Sequence, residues 1–77
     1  MTVHQNTAVN SVMISVNGEL SPRFGEGSIS ALLEHKGLLS RRLAVELNGE
    51  IVPRAEWPSV MLSPGDRVEI VQAIGGG

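Results

Sequence analysis

The sequence predicts a small α+β domain of two layers, in which one helix packs on one face of a sheet of about five strands. Three observations support this class: segments in which apolar and polar residues alternate, two Asn-Gly pairs, and one segment with helical period. The predicted order is ββαββ, with a long strand at the end of the chain. Because the only helix lies between the two hairpins, the other face of the sheet is expected to be open.

The first hairpin is predicted at residues 12–24. Residues 12–16 alternate, with every second side chain apolar, and they end at Asn17-Gly18. Both central positions of a tight two-residue hairpin turn need a positive φ, which Asn and Gly tolerate best. The return strand contains Pro22, which has no N–H to donate to a ladder. This strand is therefore expected at an edge of the sheet.

One helix is predicted after the hairpin. Ser28 is a favourable N-cap, and Ile29, Leu32 and Leu33 recur with the spacing of one helix face. Gly37 follows the last turn and is typical of a helix end. A helix of about nine residues is too short to persist alone, so its apolar face must pack on the sheet.

A second hairpin and a final strand complete the predicted sheet. The segment Arg42–Leu47 alternates and ends at Asn48-Gly49, and Glu50–Val52 returns. A turn cluster at 63–66 precedes the last strand, Arg67–Ile74. Trp57, between these elements, is expected to cap the open end of the core rather than to mark a ligand site, because tryptophan buries a large area in a small domain.

The last strand is predicted to have two unlike faces. Val68 and Ile70 continue the inward-facing series, whereas Val71 and Ala73 fall on the opposite face. An apolar spot beside the end of the chain is a place where a partner protein can dock. Val71, Ala73 and Ile74 are therefore the candidate docking residues.

Three glycines, Gly75, Gly76 and Gly77, follow this strand. Without Cβ atoms they cannot pack, so they form either a frayed terminus or a tail that enters a narrow channel of a partner and presents its α-carboxylate. The predicted organisation is a flexible arm at 1–11, a domain at 12–74 and a flexible glycine tail at 75–77.

Composition excludes several classes of function. The chain has no cysteine, so it has neither a disulfide nor a thiol nucleophile, and its two histidines, His4 and His35, have no neighbouring metal ligands. Six basic against eight acidic residues argue against binding nucleic acid. No apolar run reaches the length of a membrane span and no signal peptide is visible, so a cytoplasmic protein is expected. The sequence contains no group of acid–base or nucleophilic residues of the kind that an enzyme needs, so an enzyme is not expected.

Three blocks of sequence carry a family resemblance: VNGE at 16–19, VELNGEIVPR at 45–54 and LSPGDRVEIVQAIGGG at 62–77. With these blocks the chain resembles the ubiquitin-like β-grasp sulfur carriers, and within them the ThiS family of thiamin biosynthesis. The resemblance runs from about Val12 to the end and leaves out the N-terminal arm. It implies a mixed β-grasp sheet with one main helix.

The resemblance also implies a function. An E1-like adenylyltransferase (ThiF-like) would use ATP to convert the carboxylate of Gly77 to an acyl-adenylate. A sulfur donor protein would displace AMP and leave a thiocarboxylate, and a thiazole synthase (ThiG-like) would take the sulfur. Gly75 and Gly76 would then lie in the partner's channel. On this interpretation the chain is a protein co-substrate that binds no cofactor or metal of its own.

Two alternatives stay open. A MoaD-like small subunit of molybdopterin synthase shares the fold, the terminal glycines and the activation chemistry, although the block at 48–52 and the short chain favour ThiS. A ubiquitin-like interaction module, which binds through its sheet face and is never activated, belongs to a different class. Such a module has no use for free terminal glycines.

Overall fold

The computed structural model describes residues 12–72. In that range the chain forms five strands, one α-helix and one 3-10 helix. In chain order these are β1 Met13–Val16, β2 Glu19–Pro22, α1 Ile29–His35, β3 Leu43–Leu47, β4 Glu50–Ile51, the 3-10 helix Arg54–Glu56 and β5 Arg67–Gln72. The predicted arm at 1–11, the docking candidates Ala73 and Ile74, and the glycine tail lie outside the described residues.

The five strands form one mixed sheet in the order β2-β1-β5-β3-β4. The central strand β5 runs parallel to β1, with Val16 opposite Val68, and antiparallel to β3, with Val45 opposite Ile70. The two hairpins β1–β2 and β3–β4 are antiparallel. This architecture confirms the predicted α+β class and the mixed five-stranded sheet with one main helix.

Both Asn-Gly pairs form the predicted hairpin turns. The φ angles are 50° and 87° at Asn17 and Gly18, and 52° and 91° at Asn48 and Gly49. Positive φ at both central residues is the signature of the type I′ turn, whose twist matches that of the strands it joins. The predicted edge position of the strand with Pro22 is also confirmed, because β2 ends the sheet order.

The N-terminus of α1 is fixed by a fully buried serine. The hydroxyl of Ser28 accepts a hydrogen bond from the amide of Ala31 at 3.0 Å and donates one to the carboxylate of Glu26 at 2.7 Å. A buried hydroxyl needs such partners, and a carboxylate near a helix N-terminus is favourable. Ser28 is the predicted N-cap, whereas the contact with Glu26 was not predicted. At the other end, Gly37 has a φ of 72°.

The core lies between α1 and one face of the sheet. It is made of ten buried apolar side chains: Ile14, Val16, Ile29, Leu32, Leu33, Val45, Trp57, Leu62, Val68 and Ile70. The predicted helix face at 29, 32 and 33 is therefore buried, as expected. The alternation of β1, β3 and β5 places its apolar positions on this same side of the sheet.

Trp57 is part of this core, in agreement with the packing role predicted for it. Its side chain is 2% exposed, and its indole N–H donates to the carbonyl of Val52 at 2.9 Å. The guanidinium of Arg54 lies over the ring, 4.4 Å from its centroid, and also donates to the carbonyls of Leu39 and Arg41. One arginine thus joins the loop after α1 to the buried tryptophan.

Replacing Leu32 by alanine should strongly destabilise the domain. The side chain is fully buried on the sheet-facing side of α1, and a truncation of this kind costs about 2–5 kcal/mol. A domain of this size has little stability to spare. Chemical denaturation of Leu32→Ala should show this loss, whereas Leu20→Ala, at a side chain 77% exposed, should change the free energy of unfolding by less than about 0.5 kcal/mol. Equal stabilities for the two variants would contradict the packing described.

Candidate functional site

The candidate site is the end of β5, the strand that leads to the glycine tail. On one side β3 accompanies β5 through the described range, from Leu47 opposite Val68 to Leu43 opposite Gln72. On the other side β1 pairs with only two residues, Arg67 and Val68. The last part of β5 therefore has a strand neighbour on one side and the β1–β2 turn on the other.

The side chain of Asn17 occupies the place that a longer β1 would fill. Its Oδ1 accepts a hydrogen bond from the amide of Ile70 at 2.7 Å, and its Nδ2 donates to the carbonyl of Ile70 at 3.3 Å. The main-chain amide of Asn17 donates to the carbonyl of Val68 at 2.9 Å. The residues joined in this way, Asn17 and Ile70, are 53 positions apart in the chain.

The second Asn-Gly turn holds the beginning of the same strand. The Oδ1 of Asn48 accepts from the amide of Arg67 at 2.8 Å, and the main-chain amide of Asn48 donates to the carbonyl of Arg67 at 2.7 Å. The Nδ2 of Asn48 contacts Asp66 Oδ1 at 3.1 Å. The other carboxylate oxygen of Asp66 accepts from the amide of Ser63 at 2.8 Å and so closes the turn before β5.

The side-chain hydrogen bonds of the two asparagines were not predicted from the sequence. The Asn-Gly pairs predicted the turns, for which the backbone alone is sufficient. The signal that could have indicated more is the residue type at the first turn position. Asparagine carries both a donor and an acceptor there, whereas glycine carries neither and aspartate is an acceptor only.

The open face of the sheet presents an apolar spot beside the end of β5. Val71 is 59% exposed and lies opposite Ala44 on β3, as the prediction for Val71 requires. Two residues earlier on the same face, Glu69 lies opposite Glu46. This face therefore combines an exposed apolar side chain with two carboxylates that lie opposite each other, an arrangement in which like charges repel.

Two shallow grooves lie beside the end of β5. One, of about 460 Å³, is lined by Arg42, Leu43, Ala44, Arg54, Val71 and Gln72. The other, of about 340 Å³, lies between the β1–β2 turn and the C-terminal end of α1, and includes Asn17, Glu19, Lys36 and Gln72 in its lining. Both grooves are open, so they are surfaces that a partner can contact rather than closed ligand cavities.

Within residues 12–72 no group of three His, Cys, Asp or Glu side chains is arranged to hold a metal ion. The ring of His35 stacks on Phe24, with centroids 3.6 Å apart and an interplanar angle of 7°. This contact gives His35 a packing role at the end of α1. In the same range no helix is long and apolar enough to cross a bilayer.

Several curated proteins are similar to this chain. A thiazole synthase of Paramagnetospirillum magneticum is 44% identical over 62 residues, and a thiazole synthase of Magnetococcus marinus is 34% identical over 64 residues. These matches cover 80% and 83% of this chain, but only 19% and 20% of the two synthases. The chain therefore spans about a fifth of their length. The protein ycf40 of Porphyra purpurea is 32% identical over 66 residues, with 86% of this chain and 93% of that protein covered.

A solved structure gives a match over almost its whole length. The crystal structure of the thiamine biosynthesis protein ThiS from Geobacter metallireducens superposes with a TM-score of 0.69 at 31% identity, and the match covers 84% of this chain and 99% of that one. The family profile described as the ThiS family matches residues 14–77, which include the whole of the described sheet after Met13 and the glycine tail. On these grounds the chain belongs to the ThiS family.

Proposed function

We propose that this chain is a sulfur carrier for thiazole formation in thiamin biosynthesis. The carboxylate of Gly77 is adenylated by an E1-like (ThiF-like) partner that uses ATP. A sulfur donor protein displaces AMP, and the resulting thiocarboxylate delivers its sulfur to a thiazole synthase (ThiG-like). The observation that carries the proposal is a ThiS-family chain whose central strand, β5, is followed in the sequence by Ala73, Ile74 and three glycines.

The chemistry of the tail supports this role. A carboxylate is ionised at neutral pH and is a poor electrophile, so it needs activation by a group that supplies a leaving group. The sequence has no cysteine, and the described residues hold no metal cluster, so we assign the activation to the partner. Three extended residues reach at most about 10 Å, which is enough to carry a terminal carbonyl into a cleft while the globular domain stays outside. The chain then acts as a co-substrate rather than a catalyst, and binds no cofactor itself.

The curated relatives support the choice of partner. In two proteins named thiazole synthase, a segment similar to this chain makes up about a fifth of the length. A carrier and the enzyme that consumes its sulfur gain from such a connection, because a covalent link raises the effective concentration of one for the other. We therefore assign a thiazole synthase as the partner of this chain, acting with it in the cytoplasm.

The open sheet face supports a docking site next to the tail. Val71 offers an exposed apolar contact on the strand that leads to Gly75, and Ala73 and Ile74 continue toward the tail in sequence. We assign these three residues to docking. The carboxylates of Glu46 and Glu69, which lie opposite each other on this face, favour a partner surface with an arginine or lysine near its apolar centre.

Intact mass spectrometry tests the proposed chemistry. After incubation with ATP, the cognate adenylyltransferase and a sulfur source, the chain should gain the mass difference of one oxygen replaced by one sulfur, located at Gly77 by fragmentation. Omission of ATP is the control and should abolish the gain. No mass change with a partner that binds the chain would instead support the interaction module. Assembly of the chain with the other subunit of molybdopterin synthase in a pull-down, and not with thiazole synthase, would support the MoaD-like alternative.

Gly76→Val should reduce thiocarboxylate formation by about 100-fold, because a branched side chain obstructs a channel shaped for glycine and misplaces the reacting carbonyl. Gly76→Ala adds one methyl group and should lose less activity. Both variants should unfold at the same denaturant concentration as the wild type. Thiocarboxylate formation is measured by intact mass at successive times. A wild-type rate for Gly76→Val would show that the tail does not enter a narrow channel.

Val71→Glu should raise the KM for the carrier in the adenylation reaction by about tenfold, because it adds a third carboxylate to the docking face and removes an apolar contact. Leu20→Glu is the matched control. Leu20 is also exposed on the open face, but it lies two strands away and level with Arg67, about 13 Å further from the tail along the strand direction. A rise in KM for Leu20→Glu alone would place docking elsewhere on the face.

A further inference from the structure

The turn that ends β1 leaves the last part of β5 without a strand neighbour on the β1 side. In a sheet, the N–H and C=O of one residue point to the same side of the strand, and for Ile70 both groups are directed at Asn17. The main chain of β1 cannot supply the partners there, because it enters the left-handed region at Asn17 and turns into β2. The side chain of Asn17 supplies them instead.

Asparagine is suited to this place for two independent reasons. Its primary amide carries a carbonyl oxygen and an N–H group in one plane, so it can replace a peptide unit of a neighbouring strand. It also tolerates the left-handed backbone of a type I′ turn better than other residues with a side chain. Glycine satisfies only the second condition, and aspartate can accept from the amide of Ile70 but cannot donate to its carbonyl.

We propose that Asn17 is a positioning residue for the glycine tail. By holding Ile70, Asn17 keeps the C-terminal part of β5 aligned with the sheet. It thereby sets the direction in which the chain continues toward Gly75, five residues further on. The role rests on the proposed function of the tail. It is distinct from docking, because the side chain of Asn17 bonds to the main chain of Ile70 within the plane of the sheet, whereas the docking candidate Val71 lies on the open face.

The proposal predicts a particular kinetic effect. Docking through the open face determines how much carrier is bound, whereas the direction of β5 determines how often the bound tail reaches the reacting position. Loss of the Asn17 contacts should therefore lower kcat with little change in KM, since the orientation of a reacting group contributes to the rate and not to the association of the two proteins. A change at Val71 should have the opposite pattern.

Asn17→Gly and Asn48→Gly form a matched pair for the test. Each removes two side-chain hydrogen bonds to β5 or the turn before it, and each leaves a Gly-Gly pair that is compatible with a type I′ turn. They differ in the end of β5 that is released. For Asn17→Gly we expect kcat for thiocarboxylate formation to fall about tenfold, and for Asn48→Gly less than about twofold. The denaturation midpoints of the two variants should shift by equal amounts. Asn17→Asp, which keeps the acceptor, should lie between wild type and Asn17→Gly.

Amide hydrogen exchange provides a readout that needs no partner. In Asn17→Gly the amide of Ile70 should exchange at least about tenfold faster than in the wild type, while Asn48→Gly should accelerate the amide of Arg67 and leave Ile70 protected. Unchanged exchange at Ile70 in Asn17→Gly, or equal losses of kcat in the two glycine variants, would overturn the role of Asn17 and leave the proposed function intact. A wild-type chain that forms no thiocarboxylate would overturn the proposed function itself, and the exchange result would still report whether Asn17 holds Ile70.

Discussion

The insertion of β5 between β1 and β3 is the interaction on which the rest of the structure depends. Without β5 the sheet separates into two hairpins, β1–β2 and β3–β4, and an isolated two-stranded hairpin is marginally stable at best in water. The strand joins them through contacts that are distant in sequence, such as Val16 opposite Val68. Closing so long a loop costs entropy that is recovered only when Val68 and Ile70 enter the core beneath α1. The same strand precedes the glycine tail in the sequence, so the element that joins the two hairpins also bears the candidate site.

Local features of this fold could be predicted from the sequence because local chemistry determines them. The two Asn-Gly turns follow from the need for positive φ, the N-cap at Ser28 from its hydroxyl, and the buried face of α1 from the spacing of its leucines. The outward position of Val71 follows from alternation along β5. Each of these predictions is confirmed in the described residues. The order of the strands is different, because nothing in the residues alone indicates that the last strand lies between the two hairpins, and the family resemblance implied only a mixed sheet.

What could not be predicted depends on contacts between distant segments. In the sequence, Asn17 and Asn48 look like ordinary turn residues. The hydrogen bonds of their side-chain amides become apparent only when β5 lies beside them. Trp57 follows a 3-10 helix, in a segment whose apolar residues show no regular period. Its buried position depends on the hydrogen bond to the carbonyl of Val52 and on the guanidinium of Arg54 over its ring. For the candidate site, residue parity identifies Val71, and family membership supplies the chemistry proposed for Gly77. The described residues offer a scaffold and a surface for that chemistry, and the catalytic groups are assigned to the partner.

The parallel pairing of β1 and β5 also determines how this domain can be handled. Because the two strands run in the same direction, β1 begins level with the turn before β5, where the amide of Gly65 donates to the carbonyl of Met13 at 2.9 Å. Gln72 lies seven residues further along, about 20 Å away at the opposite end of the sheet. An affinity handle, a dye or a surface anchor joined ahead of Val12 therefore meets the domain far from the end that leads to the glycines. Immobilisation through the N-terminal side would leave the C-terminal end of β5 facing solution.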